Sequence, residues 1–103
     1  MNNIKTQHPH TLRTALIQMT SQSEIADNIP IITDLVTRAA QDGGARLIIT
    51  PENTCHIRGK MVEKQITAPN ESDHPLLTQA STLARDLSIY LILGSVSIQG
   101  PHN

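Results

Sequence analysis

Phenylalanine and tryptophan are absent from this chain of 103 residues, and Tyr90 is its only aromatic side chain. Any core must therefore be assembled from Ile, Leu, Val, Ala and Met, without the side chains that bury about 150–250 Å² each. Cysteine is nearly missing too. Cys55 stands alone, which excludes an intrachain disulfide framework and suits a reducing, cytoplasmic compartment. Basic clusters are lacking, and the formal net charge is -1, so neither nucleic acid nor an anionic membrane is the expected partner. No apolar run approaches the ~18 residues needed to span a bilayer, and the first ten residues hold no apolar stretch of the kind that directs secretion. Those absences leave one small domain whose partners are small molecules or protein surfaces.

What is present is a regular alternation of strand and helix signals. Residues 1–11 are polar, with His8-Pro9-His10 near their end, and read as a flexible leader to a domain over 12–103. A strand is predicted over 13–19. After the turn 20–23, Ile25, Ile29, Ile32, Leu35, Val36 and Ala39 form one helical stripe. Pro30 leaves two starts open for this helix: Asn28 as N-cap, with Pro30 in the first turn, or Ser23, with a kink at Pro30. Gly43-Gly44 should end it.

A second strand is predicted over about 45–50. Its run Leu47-Ile48-Ile49 does not alternate, which predicts a parallel strand covered on both faces, and Pro51 ends the ladder by removing a donor. Glu52 follows at the C-terminal end of that strand, where open α/β sheets place their chemistry.

The stretch 53–72 reads as a loop with a short helical turn at 61–65, of the kind that builds a site at a sheet's edge. Asp73 is the expected cap of a second helix, with Pro75 in its first turn and Leu76, Ala80, Leu83, Ala84 and Leu87 as its stripe. A third strand should begin near Ser88, apolar throughout 89–93 and alternating over 95–98. Residues 99–103 read as a turn leading towards a further strand. The order is β-α-β-α-β, with right-handed crossovers expected. Two helices cannot cover both faces of three such strands, so the fold is expected to be incomplete without further structure.

Four blocks in this order, Leu12-Arg13-Thr14-Ala15-Leu16-Ile17-Gln18-Met19, Asn28, Gly44-Ala45-Arg46-Leu47-Ile48-Ile49-Thr50-Pro51-Glu52 and Leu93-Gly94-Ser95, resemble the N-terminal third of the nitrilase superfamily of carbon-nitrogen hydrolases. The resemblance covers nearly everything after the leader. It implies an α/β fold, the β-α-β-α-β portion of an α-β-β-α sandwich, and a Glu-Lys-Cys site using no metal or organic cofactor. In such a site a thiolate attacks a nitrile, amide or carbamoyl carbon, ammonia or an amine leaves, and water releases the acid. Glu52 matches the family's first catalytic glutamate, the general base, a role suited to a partly buried carboxylate. The family's lysine and nucleophilic cysteine fall downstream of the blocks matched, so this chain is expected to be inactive alone. A homodimer, or association with the missing half, is the expected assembly.

Other residues invite chemistry and have plainer readings. Lys60 and Lys64 lie where the family places no catalytic lysine. Cys55, beside His56 and three residues from Glu52, permits a Cys-His-Glu arrangement on paper, but the plain reading is a semi-buried thiol in a loop, since catalytic sets are defined by spatial geometry. His8, His10, Cys55, His56 and His74 show no recognised metal-ligand spacing. Even Glu52, without the resemblance, reads as a cap or surface charge more readily than as a base.

The alternative function is a non-catalytic module that associates through its exposed terminal strand. A receiver-like domain would need acidic residues after strand one, and a flavodoxin-like domain a glycine-rich phosphate loop there. Thr20-Ser21-Gln22-Ser23 supplies neither.

Overall fold

The computed structural model describes residues 10–57 and 68–100. Its elements run β1 (Thr14–Leu16), α1 (Ile25–Gln41), β2 (Leu47–Ile49), a 3-10 turn (Glu71–Asp73), α2 (Pro75–Leu87) and β3 (Tyr90–Ile92). The three strands form one parallel sheet in sequential order, with Ala15, Ile48 and Leu91 in register across it. This is the predicted β-α-β-α-β order, compatible with part of a nitrilase-type sandwich.

Both helices lie on the same face of the sheet, packed on one another and on the strands. Their inner stripes are Asn28, Ile32 and Val36 on α1 and Leu76, Ala80 and Leu83 on α2, spaced by three and four as one helical face requires. Ile32, Val36, Ile48 and Leu76 are sealed from water. Each contributes roughly 1.5–3 kcal/mol through burial, and together they do the work that larger aromatic side chains do elsewhere. A bond from Gln79 Nε2 to Thr33 Oγ1 at 3.0 Å ties the helices across that contact.

The other face is bare among the described residues. Thr14, Leu47 and Tyr90 form one row across it, and Leu16, Ile49 and Ile92 the next. Leu16 is 77 % exposed, Tyr90 74 % and Ile92 50 %. This corrects the expectation that Leu47-Ile48-Ile49 is covered on both sides. Only the middle residue faces the helices, because sequential strand order sends both crossovers to one side.

Several local expectations are also corrected. Helix α1 begins at Ile25 with Glu24 as its N-cap, so Asn28 is no cap and Pro30 sits within the helix. There it removes the donor that would reach the carbonyl four residues back. The helix ends at Gln41, and the following reversal uses Gly44 at φ +70°, a conformation glycine adopts without penalty.

The N-cap of α2 is His74, not Asp73, which lies in the 3-10 turn. Ser88 is the left-handed C-cap of α2, so β3 starts two residues later than expected. Residues 95–98 alternate in sequence without forming a strand. The strands are shorter than predicted, although flanking bonds such as Ile17 N–H to the Ile49 carbonyl and Thr50 N–H to the Ile92 carbonyl carry the pairing past their ends. The helical turn expected at 61–65, Lys60, Lys64, His8 and most of the leader lie outside the described residues.

Candidate active site

Glu52 stands where β2 leaves the sheet, exposed to solvent at the C-terminal rim. The partial burial expected for it is not found. What distinguishes the position is how firmly its neighbours are held. On one side, Gly94 lies against the backbone of Pro51 so closely that a Cβ there would overlap the Pro51 carbonyl and come within 2.6 Å of the Thr50 carbonyl oxygen. On the other, Asn53 takes a left-handed conformation at φ 56° and its N–H donates to Ser95 Oγ at 2.8 Å. The dipeptide after β3 thus grips the residues on both sides of the glutamate.

Below the rim, two threonines complete the turn. Thr50 Oγ1 accepts the Gly94 N–H at 3.2 Å and lies 2.8 Å from Thr54 Oγ1, which also bonds the Pro51 carbonyl. Both threonines are buried. Threonine suits this place because its hydroxyl bonds backbone locally while its methyl packs inward.

The loop then turns into the protein, where Asn28 receives it. Asn28 Oδ1 accepts the Gln22 N–H at 2.7 Å, and Nδ2 donates to the carbonyls of Gln22 at 3.0 Å and Cys55 at 2.9 Å. Ile57 N–H adds a bond to the Gln22 carbonyl at 2.9 Å. The fully buried Asn28 therefore joins the β1–α1 loop to the loop that carries Glu52. A polar residue at the head of the stripe that continues through Ile32 and Val36 is the signal that could have found this role from sequence.

Cys55, His56 and His74 come together beneath that loop, each at most 1 % exposed. Cys55 Sγ lies 3.5 Å from His74 Nε2 and 3.9 Å from His56 Nδ1. The expectation of a semi-buried thiol is corrected: the thiol is fully buried, and both imidazoles lie beside it. The arrangement is nevertheless not an accessible nucleophile, for the thiol is sealed from solvent, and His74 is not its base. His74 Nδ1 accepts the Leu76 N–H at 3.3 Å, which leaves the ring proton on Nε2, facing the Ser97 carbonyl at 3.1 Å. An Nε2 that carries the proton has no lone pair to take one from sulfur. That tautomer equally opposes a metal at Nε2, which needs the proton on Nδ1. Among the described residues no group of three His, Cys, Asp or Glu side chains is arranged to hold a metal ion, and no helix is long and apolar enough to cross a membrane. His10 is exposed.

The arrangement thus offers one solvent-facing carboxylate on a rigid turn and one thiol sealed away from substrate. A hollow of about 360 Å³ lies elsewhere, beside α2 and β3, with Leu77, Ala84 and Leu93 among its walls and Glu52 not among them. The sheet order, the turn Pro51-Glu52 that follows β2 and the Gly94-Ser95 grip upon it occupy the positions of the nitrilase blocks, and the family model for carbon-nitrogen hydrolase matches residues 13–103. The chain belongs to the carbon-nitrogen hydrolase family, within the nitrilase superfamily.

Proposed function

We propose that Glu52 is the general base of a hydrolase acting on non-peptide carbon-nitrogen bonds in small nitriles, amides or carbamoyl compounds, in a reducing, cytoplasmic setting. The observation that carries this reading is the grip of Gly94 and Ser95 on the two residues flanking a solvent-facing carboxylate. A base must be held within hydrogen-bond reach of the proton it takes, and a carboxylate on a braced turn meets that need without burial.

The nucleophile is not Cys55, whose thiol is 1 % exposed and sealed from substrate. Turnover therefore requires a thiolate and a lysine that the described residues do not supply, and we expect the chain alone to be inactive. The bare sheet face is the surface on which the second sheet of an α-β-β-α sandwich lies. A second reading, a non-catalytic module associating through its exposed terminal strand, is favoured by the edge position of β3 and the exposure of Tyr90 and Ile92. A monomer stable to dilution would remove its basis.

The test is ammonia release by the purified chain over a panel of nitriles, amides and carbamoyl compounds, with Glu52→Gln and Cys55→Ala as controls. No turnover is expected from the chain. Activity abolished by Cys55→Ala would overturn the assignment. In any longer product of the same gene that carries the lysine and thiolate, Glu52→Gln should lower ammonia release about 10²- to 10⁴-fold.

A further inference from the structure

His74 is buried, yet neither ring nitrogen is idle. Nδ1 accepts the Leu76 N–H and so caps α2. Nε2 faces the Ser97 carbonyl at 3.1 Å and Cys55 Sγ at 3.5 Å. One imidazole therefore joins the start of α2, the segment after β3 and the loop that carries Glu52, three pieces of chain with no shared secondary structure.

We infer that His74 is a positioning residue for the Glu52 loop, a latch that holds only while its imidazole is neutral. The inference deepens the reading of Glu52 as a base and rests on it for its functional meaning. Its physical ground is the direction of the bonds. A proton added at Nδ1 turns the acceptor of the Leu76 N–H into a second donor, so the cap is lost. The resulting cation would also sit at the N-terminus of a 13-residue helix, the end whose dipole repels positive charge.

Among the described residues little nearby compensates. The Glu52 loop brings the Cys55 thiol and, beyond it, His56. The 3-10 turn brings Glu71 and Asp73, both exposed to water. Over its first ten residues α2 carries no charged side chain, and the segment 94–100 has no titratable one. Burial accordingly lowers the pKa of His74 from 6.5, the bond to the Ser97 carbonyl offsetting part of the effect.

Acidification should then release the latch locally. The capping bond breaks and the ring, held then only through Nε2, is free to shift from Cys55, so the loop loses its inner support while Asn28 and Ser95 still hold its two ends.

The test follows imidazole and amide signals of the isotopically labelled full chain from about pH 8 to about pH 4.5, with His74→Asn identifying the His74 resonances. The expected result is a neutral His74 with its proton on Nε2 and a midpoint below 6.5. The Leu76, His56 and Ile57 amides should shift with that same midpoint, and exchange of the Leu76 amide should quicken about five- to tenfold below it. In His74→Asn, whose side chain can still cap the helix, these pH-dependent shifts should vanish. A proton on Nδ1, a midpoint at or above 6.5, or loop amides that do not follow His74 would each overturn the inference. The wild-type titration decides even if the variant fails to fold. Glu52→Gln should leave the titration unaltered, so failure of the latch and failure of the base assignment read out separately, one in these spectra and the other in ammonia release.

Discussion

The side-chain amide of Asn28, in α1, donates to the Cys55 carbonyl across 2.9 Å, a bond between residues 27 apart in sequence that ties the Glu52 loop to the β1–α1 loop held by the same side chain. Since the same side chain also accepts from Gln22, truncation would strand polar groups on both loops. Asn28→Ala should cost about 2–4 kcal/mol, the sum of one strong site lost and buried partners left unpaired. Asn28→Asp should be no better, because it replaces the donor to those carbonyls with an acceptor. Urea unfolding midpoints of the three proteins check this.

Gly94→Ala places a methyl group into the Pro51 carbonyl. The obstructing atoms are backbone, so no rotamer change relieves the overlap. A loss of about 1–3 kcal/mol is expected, together with displaced amide resonances for residues 51–53. A variant with unchanged stability and an unchanged spectrum would show that the grip on the glutamate is looser than described.

Ser88 holds a left-handed conformation at φ 54° while its N–H caps the last carbonyls of α2. A side chain there bears a cost that glycine avoids. Ser88→Gly should raise stability by about 0.5–1 kcal/mol, visible as a higher thermal midpoint. This is the change most suited to strengthening the chain without touching the candidate site.

Stability should depend on the His74 proton in one direction only. The folded pKa lies below the ordinary 6.5, so between those values the unfolded chain binds a proton that the folded chain refuses. Stability therefore rises with pH across that window and is constant in this contribution above about 6.5. It falls as pH drops from 6.5 towards the folded value. Unfolding free energies measured on the wild type and His74→Asn, taken as a difference, isolate this term from the other histidines. A difference that does not vary with pH would contradict it.

Element order, both helical stripes and the location of Glu52 at a strand end were legible in the sequence, because periodicity of three and four, proline and glycine act locally. The coverage of the sheet was not. An unbroken run such as Leu47-Ile48-Ile49 reads as buried on both sides whether or not a second layer is present. The burial of Glu52 was misjudged for a related reason, since the rim is shaped by Gly94 and Ser95 from more than forty residues away. His74 shows the same limit most sharply. Its place before Pro75 suggests a helix start, but its second nitrogen is committed to Ser97, a long-range pairing that no local pattern encodes. Asn28 was within reach, for a polar side chain in line with an apolar stripe must find partners in the interior.

The one-sided sheet has a calorimetric consequence. Leu16, Tyr90 and Ile92 are already wetted in the folded chain, so unfolding transfers less apolar surface to water than a fully clad sheet of this length would. The heat-capacity increment should accordingly fall below the ordinary ~12–15 cal/mol/K per residue, and the denaturant m-value should be small for the chain length. The stability curve of this chain would then be broad and flat, and would steepen once a second layer covered those side chains.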